Sequence, residues 1–218
     1  MQPNLVDYIK EQTADTDIFC FQEASDVVKD AARDALSGYK EISDYKYITD
    51  HDNFPQSIFV RDDIEIVSSG TLFQGEMDRG LAIYVEINLG DKNMYVCNVH
   101  GSARPNDKTD SRARIEVSEA LIKFFADKND VPVIIGGDFN INPDTKSIGM
   151  FSESDYRDLI QEFSIKTTRN HFAWDRFPDT PLYYSDYVFL NDKVELKSFS
   201  VTDNEISDHL PLVLEVET

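Results

Sequence analysis

Cysteine is scarce, long apolar runs are missing and basic residues are outnumbered, and each shortage closes off a class of protein. The two cysteines, Cys20 and Cys97, each sit inside an apolar run, where Cys behaves as a small hydrophobe. A disulfide framework is not indicated. No stretch approaches the roughly 18 apolar residues of a membrane span, and the N-terminus lacks the apolar centre of a secretory signal. The expectation is a cytoplasmic protein with no membrane span. Repeats, low-complexity tracts and linkers are also lacking, so one domain is expected over residues 1–218.

Lys and Arg total 21 against 41 Asp and Glu, a formal net charge of -20. Non-specific nucleic-acid binding rests on Lys and Arg neutralising phosphates, so bulk duplex DNA is a poor partner for this chain. A small phosphate ester or a strand end suffers less repulsion, and a bound divalent cation offsets it locally. Oligomeric state has no signature here.

What is present is a long alternation of helical and strand-like patterns. Leu5, Val6 and Ile9 have helical spacing, and the apolar block Asp17 to Gln22 reads as a buried strand. A helix covers Asp26 to Leu36 and closes at Gly38. Strand-like runs follow at Tyr45 to Thr49, Gln56 to Val60, Ile64 to Ser68, Leu81 to Ile87 and Asn93 to Val99. Ser111 to Phe125 is a helix that feeds the β-branched run Val131 to Ile135. Short helices are expected at Asp144 to Phe151 and Asp155 to Phe163, then an irregular aromatic stretch from Thr167 to Tyr184. Strands at Tyr187 to Leu190, Val194 to Val201 and Leu212 to Val216 complete the chain. Periodicity supports α/β or α+β, with two packed sheets and helices outside.

Five segments place polar or ionisable residues just after strand-like runs, where rigid elements hand side chains to a common rim. In Phe21-Gln22-Glu23 the acid is either a solvated strand end or a ligand for Mg2+, which prefers carboxylate oxygen. In Asn98-Val99-His100-Gly101, alternation puts Asn98 and His100 on one face, either as strand-end hydrogen-bonding groups or as donors to a scissile phosphate. Gly136-Gly137-Asp138-Phe139-Asn140 pairs close backbone approach with Asp138 and Asn140 one strand period apart, suited to positioning a water and binding an oxyanion. The fourth segment is Ser185-Asp186-Tyr187. In the fifth, Ser207-Asp208-His209-Leu210-Pro211, the acid beside the histidine is either a charged turn or a carboxylate orienting an imidazole.

This ordered set resembles the endonuclease/exonuclease/phosphatase superfamily over nearly the whole chain. Gly-Asp-Phe-Asn and Ser-Asp-His-Leu-Pro are specific when they occur together in this order. The resemblance implies a four-layer sandwich of two packed mixed sheets flanked by helices. It implies a hydrolase that cleaves a phosphate ester by in-line attack of water, with Mg2+, or Mn2+, as cofactor. By the same resemblance Glu23 and Asp208 hold the metal, and Asp138 positions or deprotonates water. Asn140, Asn98 and His100 contact phosphoryl oxygens, while His209 engages the phosphate or acts as base, with Asp186 as its partner. The first strand that the resemblance implies is not expected ahead of the opening helix, which follows Met1 almost at once with Asn4 as its cap, so that either the chain has been shortened or a natural variant has lost an element.

Substrate identity is open between a phosphodiester and a phosphomonoester. A nuclease acting on DNA or RNA ends or lesions is one alternative, and an impaired relative serving as a binding module is another. Lys108, Arg112, Arg114, Arg169 and Arg176 form a candidate phosphate patch, with Arg112 taken as substrate-binding. Among Phe172, Trp174, Phe177, Tyr183 and Tyr184, Trp174 is taken as the ring that stacks on substrate, though such rings more often pack a loop on the core.

Overall fold

The computed structural model describes residues 5–23, 26–47, 53–128, 130–176, 178–179 and 182–217, without the side chains of residues 26–29, 47, 53 and 176. The chain opens with α1 (Leu5–Gln12), β1 (Ile18–Gln22), α2 (Asp26–Ala35), β2 (Tyr39–Tyr47) and β3 (Asn53–Arg61). Next come β4 (Glu65–Leu72), β5 (Gly80–Asn88), β6 (Asn93–Gly101), α3 (Arg112–Ala126) and β7 (Val133–Asp138). After them lie α4 (Lys146–Glu153), β8 (Arg157–Asp158), α5 (Leu159–Glu162), α6 (His171–Arg176), β9 (Asp186–Leu190), β10 (Leu196–Val201) and β11 (Leu212–Val216).

Six strands make one mixed sheet in the order β4-β5-β6-β7-β9-β8, and the parallel pair in it is β6 with β7. A parallel step needs a crossover, and α3 supplies it. Ser111 caps that helix by accepting from the Arg114 amide at 3.2 Å, and Val117, Leu121 and Phe125 recur every four residues along its buried face. The other strands form a β1-β3-β2 sheet and a β10-β11 pair. Among the described residues β1 pairs with β3 alone and β11 with β10 alone, so each leaves an edge free.

Alternation along β3 explains the layering. Ile58 and Val60 face the large sheet and pack with Leu81, Ile83, Val85, Met94 and Val96, whereas Phe59 faces the other way onto Ile9, Ala32 and Leu36. A further core lies between the large sheet and α3, α4 and α5. There Phe151 stacks on Phe189 with ring centroids 4.1 Å apart, and Phe139 meets both edge-on. Helix, sheet, sheet and helix are thus four layers, the sandwich that the resemblance implied.

Three local expectations change. Strand β2 starts at Tyr39, because an edge strand paired on one side tolerates charges such as Lys40, Glu41 and Asp44. The helix expected from Asp155 divides into β8, which pairs with β9, and the single turn α5, capped where Asp158 accepts from the Ile160 and Gln161 amides. The stretch expected to be irregular contains α6. Asn4, Thr49 and Phe177 lie outside the described residues.

Candidate active site

Sheet register builds the site. The parallel pairing of β6 with β7 sets His100 opposite Asp138, and the antiparallel pairing of β7 with β9 sets Asp138 opposite Asp186. One imidazole and two carboxylates therefore form a row across three neighbouring strand ends. Gly137 permits this closeness: at φ +129° it lies where a Cβ would come 2.2 Å from the Val99 carbonyl oxygen.

Asp138 is buried and held by its neighbour. Asn140, at φ +56°, bends the chain so that its backbone N–H donates to one Asp138 oxygen and its Nδ2 to the other, both at 2.8 Å. Burial raises the Asp138 pKa, but His209, His100, Lys108 and Lys46 together outweigh it and hold the carboxyl below its ordinary value. It is a carboxylate at neutral pH.

His209 reaches the row from the segment before β11. Its Nδ1 lies 3.0 and 2.9 Å from the two oxygens of Asp186. Burial lowers this histidine's pKa, yet the Asp186 charge, the hydrogen bond to it and Asp138 prevail and lift it to about 9. Asp186 itself is held above its usual range by burial, which outweighs the pull of His209. The backbone that positions His209 is pinned by Thr168, Arg169 and Asn170. Leu210 N–H donates to Thr168 O at 2.9 Å, and Asn170 Nδ2 donates to the Ser207 carbonyl at 2.6 Å. Thr168 Oγ1 also accepts from the Ser185 and Asp186 amides at 3.1 and 3.2 Å, so one buried hydroxyl links both segments. Arg169 pairs with Asp208 and donates to Ser185 Oγ at 3.2 Å.

His100 is the opposite kind of histidine. It is fully buried, burial lowers its pKa below 6.5, and neither ring nitrogen has a well-directed hydrogen-bond partner. Glu23, left-handed at φ 54°, brings Oε1 to 3.2 Å from His100 Nε2, within reach but off the N–H direction, and Asp138 stands 3.9 Å from the same nitrogen. The close contact with His100 lowers the Glu23 pKa, against the effect of burial.

This donor set fits a hard divalent cation. Glu23 keeps a half-exposed carboxylate beside the row, with its acid form disfavoured, as Mg2+ and Mn2+ require. Ligand atoms of Asp138, Asp186 and His209 also lie within 4.8 Å of one another. A cation among those three competes with the bond between Asp186 and His209, so Glu23 is the better anchor.

The row thus brings Glu23, His100, Asp138, Asn140, Asp186 and His209 together. Asn98 is fully buried behind it, its amide occupied by Gln22 at 2.5 Å and by the Phe21 and Ser57 carbonyls, both at 3.1 Å, so it ties β1, β3 and β6. Asp208 lies beside the row in its pair with Arg169. Arg112 lies elsewhere, 92% exposed, ion-paired with Glu116 at 2.7 Å on a groove that Glu76, Met77 and Arg79 also line. Trp174 sits on α6 against Tyr183, ring centroids 5.3 Å apart. Of the candidate patch, Lys108, Arg114 and Arg169 are buried at the site. Lys46 was not foreseen: it stands in β2 between two tyrosines, with no motif around it.

A row of carboxylates and imidazoles thus lies on the strand ends of a four-layer α/β sandwich. The chain belongs to the Endonuclease/Exonuclease/phosphatase family, whose model matches residues 3–209. Members of that family act on phosphate esters or nucleic acids, generally with a divalent metal. Solved structures similar to it include an endonuclease/exonuclease/phosphatase family protein from Bacteroides thetaiotaomicron, 21% identical with TM-score 0.75, the match covering 97% of this chain and 88% of that one. A humanized D. rerio TDP2 is 15% identical, TM-score 0.74, over 98% of this chain and 90% of that one. A mannosyl-6-phosphatase from Bacteroides thetaiotaomicron is 21% identical, TM-score 0.72, again over 98% and 90%. At such identities the likeness is one of fold. No curated protein sequence matches the chain. Among the described residues no helix is long and apolar enough to cross a membrane.

Proposed function

We propose that this chain hydrolyses a phosphate ester by in-line attack of water, with Mg2+, or Mn2+ in its place, as cofactor. One observation carries the reading: the row of His100, Asp138 and Asp186 ends in His209, and its two histidines are pushed to opposite protonation states. Titratable neighbours driven apart in this way divide acid and base roles. His209, an imidazolium at neutral pH, donates from Nε2 to a phosphoryl oxygen and stabilises the charge that develops there, while Asp186 fixes the ring through Nδ1. Asp138, ionised and gripped at both oxygens by Asn140, orients the attacking water and accepts its proton. Neutral His100 is the further donor to phosphoryl oxygens, while Asn140, whose Nδ2 is committed to Asp138 and the Gly101 carbonyl, holds Asp138 in place. Glu23, with Asp208 as second carboxylate, would hold the cation, which when bound neutralises phosphoryl charge.

The test is turnover of a panel comprising inositol phosphates, phospholipid headgroups, abasic DNA, and single-stranded DNA and RNA, each with Mg2+, with Mn2+ and with EDTA. Hydrolysis that needs the metal and is lost in Asp138→Asn is expected. Turnover that survives chelation, or none on any ester with either metal, overturns the reading.

A further inference from the structure

Two buried ammonium groups flank Asn140, and no carboxylate among the described residues pairs with them. Lys46 donates from Nζ to the Gly101 carbonyl at 2.6 Å, and Lys108 donates to Oδ1 of Asn140. The same Gly101 oxygen accepts from Asn140 Nδ2 at 3.3 Å, so a single side-chain amide stands between the lysines. They are 3% and 5% exposed. Both acceptors are neutral oxygens. An ammonium has three donors, so each lysine keeps two N–H groups without a partner among the described residues, and neither has a carboxylate within ion-pair reach there.

Burying an ammonium without a counter-charge is unfavourable, and burying two that repel each other is more so. Burial pushes the Lys46 pKa down to about 8 and lowers that of Lys108, Asp138 draws both back up, and Lys108 adds to the depression of Lys46. Lys108 is nonetheless held in place by a dedicated scaffold. It adopts φ +57°, and its carbonyl accepts from Asn142 N–H at 2.9 Å. The buried guanidinium of Arg114 ties down its loop by donating to the carbonyls of Ser102 at 3.2 Å, Pro105 at 2.9 Å, Thr109, and Asn140 at 3.0 Å. Such an arrangement makes sense when a ligand supplies the missing negative charge.

We propose that Lys46 and Lys108 form a subsite for the oxygens of a terminal phosphate, so that the substrate is a phosphomonoester dianion and not an internal diester. The proposal rests on the hydrolase reading above. A monoester carries about -1.5 to -2 charge at pH 7 and three strong acceptor oxygens, whereas a diester carries a single charge and has a second ester link in place of the third terminal oxygen. The extra oxygen and the extra charge are what two additional point-charge donors recognise.

The test compares wild type with Lys46→Met and Lys108→Met, each checked by thermal melting, on p-nitrophenyl phosphate and bis(p-nitrophenyl) phosphate with Mg2+. For the monoester kcat/KM should fall about 10- to 100-fold per variant, as loss of a charge-assisted hydrogen bond implies, with the diester little changed. Calorimetry with inorganic phosphate and Mg2+ should show a parallel loss of affinity. This readout needs no turnover, so it separates failure of the subsite from failure of the hydrolase reading. A hexose phosphate and a 5′-phosphorylated oligonucleotide, assayed for the same lysine dependence, distinguish a small-molecule source from a strand end. If Lys46→Met does not fold, Lys46→Gln and Lys108→Met carry the comparison. Equal losses on monoester and diester, or phosphate affinity unchanged in both variants, overturn the proposal and leave the lysines as counter-charges to Asp138.

Discussion

Replacing Asp186 by Asn removes one charge and little shape from a buried side chain whose two oxygens lie 2.9 and 3.0 Å from His209 Nδ1. In the native chain burial lowers the His209 pKa, but Asp186 and Asp138 carry it from 6.5 to about 9. That gap is worth roughly 3 kcal/mol of preference for the imidazolium, somewhat less because the side chain keeps 29% of its exposure. With an amide at position 186, burial and Arg169 act downward against Asp138 alone. The pKa should then return to 6.5 or below, and at about pH 7.5 the imidazolium should fall from nearly all molecules to roughly a tenth. Single-turnover hydrolysis should slow by about 10²- to 10⁴-fold. Folding should suffer less, because the carboxylate that is removed is itself disfavoured by burial, and its replacement cancels a cost along with a gain.

The pH dependence has a definite sign. A folded-state pKa raised above its unfolded value contributes stability that is complete below the unfolded pKa and lost as pH rises through the folded one. For His209 the window runs from about 6.5 to about 9, and denaturation midpoints of wild type should decline across it while those of Asp186→Asn do not. NMR titration of His209 in metal-free protein, beside single-turnover kinetics with Mg2+, decides the matter. If the substitution leaves both the titration and the chemical step unchanged, the pairing is refuted, and Asp208 becomes the partner to examine.

Glu23→Gln should weaken Mg2+ binding about tenfold or more by calorimetry, and unchanged affinity would remove Glu23 from the ligand set. Thr168→Val should leave the Ser185 and Asp186 amides without an acceptor, costing about 1–3 kcal/mol in urea unfolding and slowing turnover through misplaced Asp186 and His209. A wild-type unfolding midpoint and rate would show that hydroxyl to be dispensable. Binding to random duplex DNA at physiological salt should be weak, and tight, steeply salt-dependent binding by anisotropy would contradict the charge argument.

Much of the site is legible in the sequence because its residues sit where a strand ends, and strand ends are marked by apolar runs giving way to Gly, Asp, Asn or His. Asp138 and Asn140 belong to one such boundary, His100 to another and Asp186 to a third, and sheet register does the rest. Residues that act through long-range packing leave no such mark. Lys46 stands mid-strand in a charged edge sequence where solvent exposure is the ordinary expectation, and its burial arises because β2 lies beside the Gly101 carbonyl. Thr168 and Asn170 read as turn polarity, since nothing local shows that their partners are 17 and 37 positions away. Arg112 shows the converse error: basic charge near a site motif is not basic charge in the site, and a helix position paired at i,i+4 with Glu116 satisfies itself locally.

Charge distribution then limits what the site can accept. Over the whole chain the balance is -20, yet at the row Glu23, Asp138, Asp186 and Asp208 are met by Lys46, Lys108, Arg114, Arg169 and protonated His209 before any cation is counted. Exposed charges are screened beyond about 8 Å at physiological ionic strength, while buried ones are screened much less. A small dianion inside the site therefore feels mostly the buried cations. A duplex tens of ångströms long must also meet the exterior of a chain whose net charge is -20, where added phosphates add repulsion. Net negative charge and a cationic pocket are in this sense one device. On the proposed reading the exterior would discriminate by length and the interior by phosphate charge, and the substrate favoured by both would be short and end in a phosphate.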